Sequence, residues 1–160
     1  MEIRPAIPDD SDRIRDVARE TWHDTYDDLE AETVEETIEE WYADDDLENA
    51  MERPGTAFLV AEVDGEVVGF THGVVQETEG DVVRMYVHPD HQEEGIGTAL
   101  HDRLREDMED FNMKRMRAID LASNDAAREF FEDLGFERKE EGEVEIGGEQ
   151  RQEAVYTLEL

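Results

Sequence analysis

No cysteine occurs among the 160 residues, which excludes a disulfide framework, a zinc–thiolate cluster and a cysteine nucleophile. Lysine is nearly absent too: Lys114 and Lys139 are the only two, and arginine supplies the rest of the fifteen basic side chains. No basic stripe exists, so the cationic footprint needed to displace counterions from nucleic acid is missing, and anionic membranes are disfavoured for the same reason. No apolar run approaches the roughly 20 residues of a membrane span. The opening Met1-Glu2-Ile3-Arg4-Pro5 lacks the basic and apolar regions of a secretory leader. The expectation is a soluble, cytoplasmic protein with neither nucleic-acid nor membrane partners.

What the chain has in excess is carboxylate. Asp and Glu number 47, for a formal net charge of −32. One reading of such charge is disorder, since Leu, Ile, Val and Phe total only 35 residues. The other is a folded protein adapted to molar salt, where the Debye length shrinks to about 3 Å and surface self-repulsion largely vanishes. The acids are scattered rather than gathered in a tail, and the apolar residues are periodic. These features decide for a folded chain in a salt-rich, halophilic cytoplasm.

The periodicity outlines one domain over residues 1–160. Pro8-Asp9-Asp10-Ser11 reads as a helix entry, followed by Ile14, Val17, Ala18 and Trp22 at helical spacing. Val34, Ile38 and Trp41 suggest a second helix ending before Arg53-Pro54-Gly55. Residues 57–63 are rich in strand formers, Asp64-Gly65 signals a hairpin, and Glu66 to Val75 returns as a second strand. Glu79-Gly80 reads as a break before a third strand, Asp81 to Val87. Ile96, Leu100, Leu104 and Met108 mark a third helix. A strand over 117–122, a helix over 125–134 stopped by Gly135, and two strands joined around Gly147-Gly148 complete the chain. The order describes a mixed α/β fold.

The stretch richest in chemistry is Met85 to Leu100, where a strand runs into a turn that opens a helix through Gly95-x-Gly97. The first amides of a helix are unpaired and point outward, so such a turn suits a phosphate or pyrophosphate; a tight turn with no ligand is the alternative. The Walker lysine and a full Gly-x-Gly-x-x-Gly are missing, which counts against nucleotides.

Gln92-x-x-Gly95-x-Gly97, after the strand ending at Val87, resembles the acetyl-CoA-binding motif of the GNAT superfamily of N-acetyltransferases. Asn124-x-x-Ala127-x-x-Phe130-Phe131-x-x-x-Gly135-Phe136 resembles a second block of the same family at the expected distance. The resemblance spans essentially the whole chain. It implies a mostly antiparallel central sheet with flanking helices and a splayed strand pair that binds acetyl-CoA. It further implies that main-chain groups around Met85, Tyr86 and Val87 hold the pantetheine arm. Gln92, Glu93, Glu94, Gly95, Ile96, Gly97 and Thr98 would form the pyrophosphate turn, with the Thr98 hydroxyl as an extra donor, and Asn124 would hydrogen-bond the arm.

Two positions depart from the family pattern. Glu93-Glu94 stand where Arg, Lys or Gly is usual, and Phe131 replaces the tyrosine that protonates the leaving thiolate in many members. Thioester-to-amine transfer also needs a base. By the resemblance, Asp81 stands where the histone-acetylating branch has its glutamate base. Four residues before Met85, it is expected on the same strand face; it also reads as a strand-start residue on an acidic surface. His72, mid-strand, is a second base candidate or a half-buried structural histidine. Trp22 fits the core stripe, while His23 and Tyr26 are open. The five histidines show no metal-ligand spacing, so no metal is expected. The resulting expectation is an N-acetyltransferase using acetyl-CoA and a primary amine, such as a polyamine, another small molecule or a protein amine, by direct transfer. The rival is a non-catalytic acyl-CoA sensor. A homodimer through the C-terminal strands is compatible with either.

Overall fold

A computed structural model describes residues 1–160. Seven strands, β1 (Glu2–Pro5), β2 (Thr56–Val63), β3 (Glu66–Gln76), β4 (Glu79–Val87), β5 (Arg115–Leu121), β6 (Glu137–Ile146) and β7 (Glu149–Glu159), form one sheet in the order β1-β2-β3-β4-β5-β7-β6. Every neighbouring pair is antiparallel except β4 and β5. Helices α1 (Ser11–Thr25), α2 (Ala31–Trp41) and α3 (Asp44–Glu52) precede β2, α4 (Ile96–Asp110) crosses from β4 to β5, and α5 (Asp125–Asp133) follows β5.

The sheet is covered on both sides. Ile14, Val17, Ala18 and Trp22 of α1 pack with Val34, Ile38 and Leu47 against Phe58, Val60 and Phe70 on one face. Leu100, Leu104 and Met108 of α4 pack with Val68, Val82, Met116 and Phe131 on the other. Alternating apolar residues on the central strands feed both clusters, which is why those strands read as nearly continuous apolar runs.

Three local features differ from the sequence expectation. The second helix is two helices, because Tyr42 is drawn wholly into the core and Ala43 turns extended. The Arg84 guanidinium lies 4.4 Å from the Tyr42 ring centroid, and Arg15 Nε donates to the Tyr42 carbonyl at 2.9 Å. Glu79-Gly80 lies inside β4 rather than breaking the chain. Gly80 faces Met108, whose Sδ would sit 2.3 Å from any added Cβ, so this glycine makes room for α4.

The third difference is a bulge. Gly73 pairs with Val82 but His72 pairs with Arg84, leaving Val83 as an extra, 39% exposed residue. Val82 and Met85, three apart, therefore both pack on the α4 side. Asp81, one residue before Val82, lies on the opposite face from Met85, which corrects the shared face expected from simple alternation.

Candidate active site

β4 and β5 pair only from Glu79↔Arg115 to Val82↔Ala118. Beyond that point β4 stays with β3 as far as Gly69↔Val87, and β5 stays with β7. The strands diverge, leaving one edge of β4 open. His88 N–H donates to Val68 on β3 at 2.8 Å. By alternation Tyr86 also faces β3, and the main-chain groups of Met85 and Val87 face the opening. The Val87 carbonyl is already taken there, by Gln92 Nε2 at 3.2 Å and Thr21 Oγ1 at 3.3 Å. Gln92 thus pins the turn to the strand end.

The turn delivers the second set of free groups. Glu93 and Gly95 both have positive φ, 65° and 82°, and Gly95 caps α4 from the left-handed region. Ala99 N–H is the first taken within the helix, by the Gly95 carbonyl at 3.0 Å, so the amides of Ile96, Gly97 and Thr98 point out of its positive end. Gly97 lies close against α5, where an added Cβ would sit 3.2 Å from the Phe130 ring and displace it by a few tenths of an ångström.

These two edges share one cleft of about 690 Å³. Met85, Tyr86, Val87 and Gln92 line it, as do Glu93, Gly95, Ile96, Gly97 and Thr98 from the turn. Asn124 and Phe131 close it from the β5–α5 side. Glu94 does not line the cleft; its carboxylate lies 3.3 Å from His91 Nδ1. Asn124 caps α5, its side-chain oxygen accepting from Ala127 N–H at 3.0 Å, while Nδ2 donates to Tyr26 and Asp120. Phe131 is buried, stacked on Tyr156 with centroids 5.7 Å apart.

Neither base candidate lines the cleft. Asp81 is 7% exposed and its nearest cation is Arg117 Nη1 at 3.5 Å. Burial raises its pKa, against Arg117. His72 stacks on Phe58 and lines a separate cavity of about 170 Å³ with Arg53 of the α3 end. Burial, with Arg84 and Arg53 nearby, pulls its pKa down to about 4, so it is neutral near pH 7.

A residue outside those candidates does line the cleft. Asp120 continues the β5 alternation of Met116 and Ala118, which are apolar and buried. A carboxylate breaking an apolar stripe was the available signal. Its Oδ1 accepts from the Tyr26 hydroxyl and from Leu121 N–H, both at 2.7 Å. Oδ2 has only Asn124 Nδ2 at 3.4 Å. Burial lifts the Asp120 pKa above the ordinary carboxylate value, offset by the Tyr26, Leu121 and Asn124 hydrogen bonds. Tyr26 itself is buried at the end of α1, with its ring 4.9 Å from that of Trp22. Trp22 Nε1 donates to the Tyr86 hydroxyl at 3.2 Å, and His23 pairs with Glu35 at 2.8 Å instead of entering the cleft.

Six carboxylates line the cleft and no lysine or arginine does. No helix is long and apolar enough to cross a membrane, and no cluster of three or more His, Asp or Glu is arranged to hold a metal.

A model of the acetyltransferase (GNAT) family matches residues 14–136. Over 95 residues the chain is 33% identical to an acetyltransferase of Sodalis glossinidius (strain morsitans), covering 59% of this chain and 67% of that relative. Among solved structures it is similar to PaiA N-acetyltransferase from Thermoplasma acidophilum in complex with coenzyme A. That match has a TM-score of 0.88 at 23% identity, over 99% of this chain and 98% of the other. A GCN5-related N-acetyltransferase from Rhodopseudomonas palustris matches with a TM-score of 0.78 at 26% identity, over 99% and 95%.

Proposed function

Since the chain belongs to the GNAT acetyltransferase family, whose members transfer acetyl groups from acetyl-CoA, we propose that it acetylates a primary amine by direct transfer within this cleft. The observation that carries this reading is the meeting of two sets of unpaired main-chain groups in one cleft, the first amides of α4 and the open edge of β4. The amides suit the pyrophosphate of the cosubstrate, with the Thr98 side chain beside them. The edge at Met85 and Val87 suits the pantetheine amides, and a strand N–H there can donate to the thioester oxygen as charge develops. Asn124 and Phe131 line the arm's far side.

Cationic acceptors such as polyamines fit a cleft lined by six carboxylates better than anionic ones. Phe131 cannot donate a proton, so the leaving thiolate takes its proton from elsewhere, which is tolerable for a thiol of low basicity. With no cysteine in the chain, no acyl-cysteine intermediate can form.

A net charge of −32 supports adaptation to high salt and a cytoplasm rich in it. β6 is exposed along nearly its whole length. A homodimer along it needs salt to screen Glu140, Glu141, Glu143 and Glu145.

The test is release of free CoA thiol from acetyl-CoA in molar KCl against polyamines, aminoglycosides, amino acids and short peptides. Amine-dependent release is expected. Tight acetyl-CoA binding with no release for any amine overturns the transferase reading in favour of an acyl-CoA sensor, the role that Phe131 and Glu93 would favour.

A further inference from the structure

Twelve of the fifteen basic side chains form ion pairs with carboxylates, yet none of them pairs with Asp120. The groups that face it are Tyr26 from α1, Asn124 from the β5–α5 turn and Glu153 from β7, with Tyr42, Tyr86 and Tyr156 further off. All of these are neutral or acidic. A half-buried carboxylate without a counter-cation is costly, and its neutral donors offset only part of that cost. The other five cleft carboxylates, Asp24, Glu93, Asp125, Glu129 and Asp133, are exposed to solvent and have water as a partner.

We propose that Asp120 receives the acceptor in its ammonium form and takes its proton, Oδ2 being the receiving atom. The proposal rests on the transferase reading and adds the residue that recognises the amine. Oδ1 is saturated by two short hydrogen bonds, whereas Oδ2 has a single long one, so the carboxylate is held firmly by one oxygen and only loosely by the other. It sits on β5, across the opening from the free edge of β4, where the transferable acetyl group would lie.

The proton balance is complete. The ammonium gives one proton to Oδ2, and the freed lone pair forms the N–C bond to the acetyl carbon. The C–S bond breaks with its electron pair on sulfur, and the nitrogen loses a second proton as the amide forms. One of the two protons ends on the thiolate and the other leaves to water. Tyr26 acts as a positioning residue, fixing the carboxylate's orientation through Oδ1 and touching no reacting atom, while Asn124 Nδ2 reaches the receiving oxygen itself at 3.4 Å.

The test compares wild type, Asp120→Asn and Tyr26→Phe in molar KCl, using the amine that turns over best and spermidine as the reference cation. Asp120→Asn is expected to lower kcat about a hundredfold or more, while acetyl-CoA affinity stays within about threefold. Tyr26→Phe removes a hydrogen bond to the ionised form, so the acid limb of kcat/KM should move to higher pH with activity retained. Asp120→Asn that keeps kcat within about threefold of wild type overturns the proposal. A second readout needs no turnover: carbon-13 NMR of the Asp120 carboxyl in the CoA complex. Titration above the ordinary value of about 3.9 is expected, and titration at or below it overturns the base. A wild type inactive with every amine counts against the transferase reading, and the NMR titration then decides the Asp120 assignment separately.

Discussion

The Tyr26 hydroxyl, at the end of α1, donates to Asp120 on β5 at 2.7 Å across 94 positions of sequence. This bond ties the helical layer to the strand that forms one wall of the cleft. It also places a phenol against a carboxylate that has no cation, so Tyr26 is held protonated by burial, by the charge of Asp120 and by donation to it.

Removing that donor has a stability cost apart from its kinetic effect. Tyr26→Phe should cost about 1.5–3 kcal/mol, the range for a hydrogen bond to a charged group, read from denaturant unfolding in molar KCl. Unchanged stability would mean that Asp120 is satisfied by Leu121 and Asn124 alone.

The charge lining the cleft predicts an inverted salt dependence. Anionic ligands normally bind more weakly as salt rises. Here six carboxylates and no lysine or arginine surround the ligand, so acetyl-CoA affinity should increase as KCl is raised from about 0.2 M to 2 M. Calorimetric titration at several KCl concentrations checks the sign. The folded fraction should be followed by circular dichroism in the same samples, since self-repulsion also acts on folding.

The turn predicts two different glycine effects. Gly95→Ala places a side chain at φ 82°, which should cost about 1–2 kcal/mol and misdirect the α4 amides. Gly97→Ala keeps the backbone but pushes the Phe130 ring, 3.2 Å from the new methyl, into the cleft. Acetyl-CoA affinity should fall about tenfold or more in both, while thermal unfolding should show the larger loss for Gly95→Ala.

His72 predicts an acid-side stability limb. Its folded pKa is depressed to about 4, against about 6.5 unfolded. The unfolded chain therefore binds a proton that the folded chain refuses. The contribution is complete above pH 6.5 and is lost as pH falls toward 4, by about 3 kcal/mol. His72→Phe should remove it, so the variant's stability changes less with pH than the wild type's across that window.

Much of the scaffold was legible because its signals are local. The α1 stripe, the Asp64-Gly65 hairpin and the Gln92-x-x-Gly95-x-Gly97 turn each rest on spacing within a few residues. The bulge at Val83 was not, since an extra strand residue has no composition signature and shows only in the pairing with β3. That one residue moves Asp81 to the face opposite Met85. The break at Tyr42 was hidden for a similar reason: Arg15 and Arg84, far away in sequence, hold the residue in place. Asp120 was legible in part, as an acid where the Met116 and Ala118 alternation calls for an apolar residue. Its partner Tyr26 could not be assigned without the fold.

Direct transfer within the cleft is tested most directly by a single-turnover experiment in molar KCl. Protein loaded with acetyl-CoA radiolabelled in the acetyl group is mixed with excess amine and quenched over time. Label should pass from CoA to the amine with none bound covalently to the protein. Label that stays on CoA for every amine, or that accumulates on the protein, would contradict it.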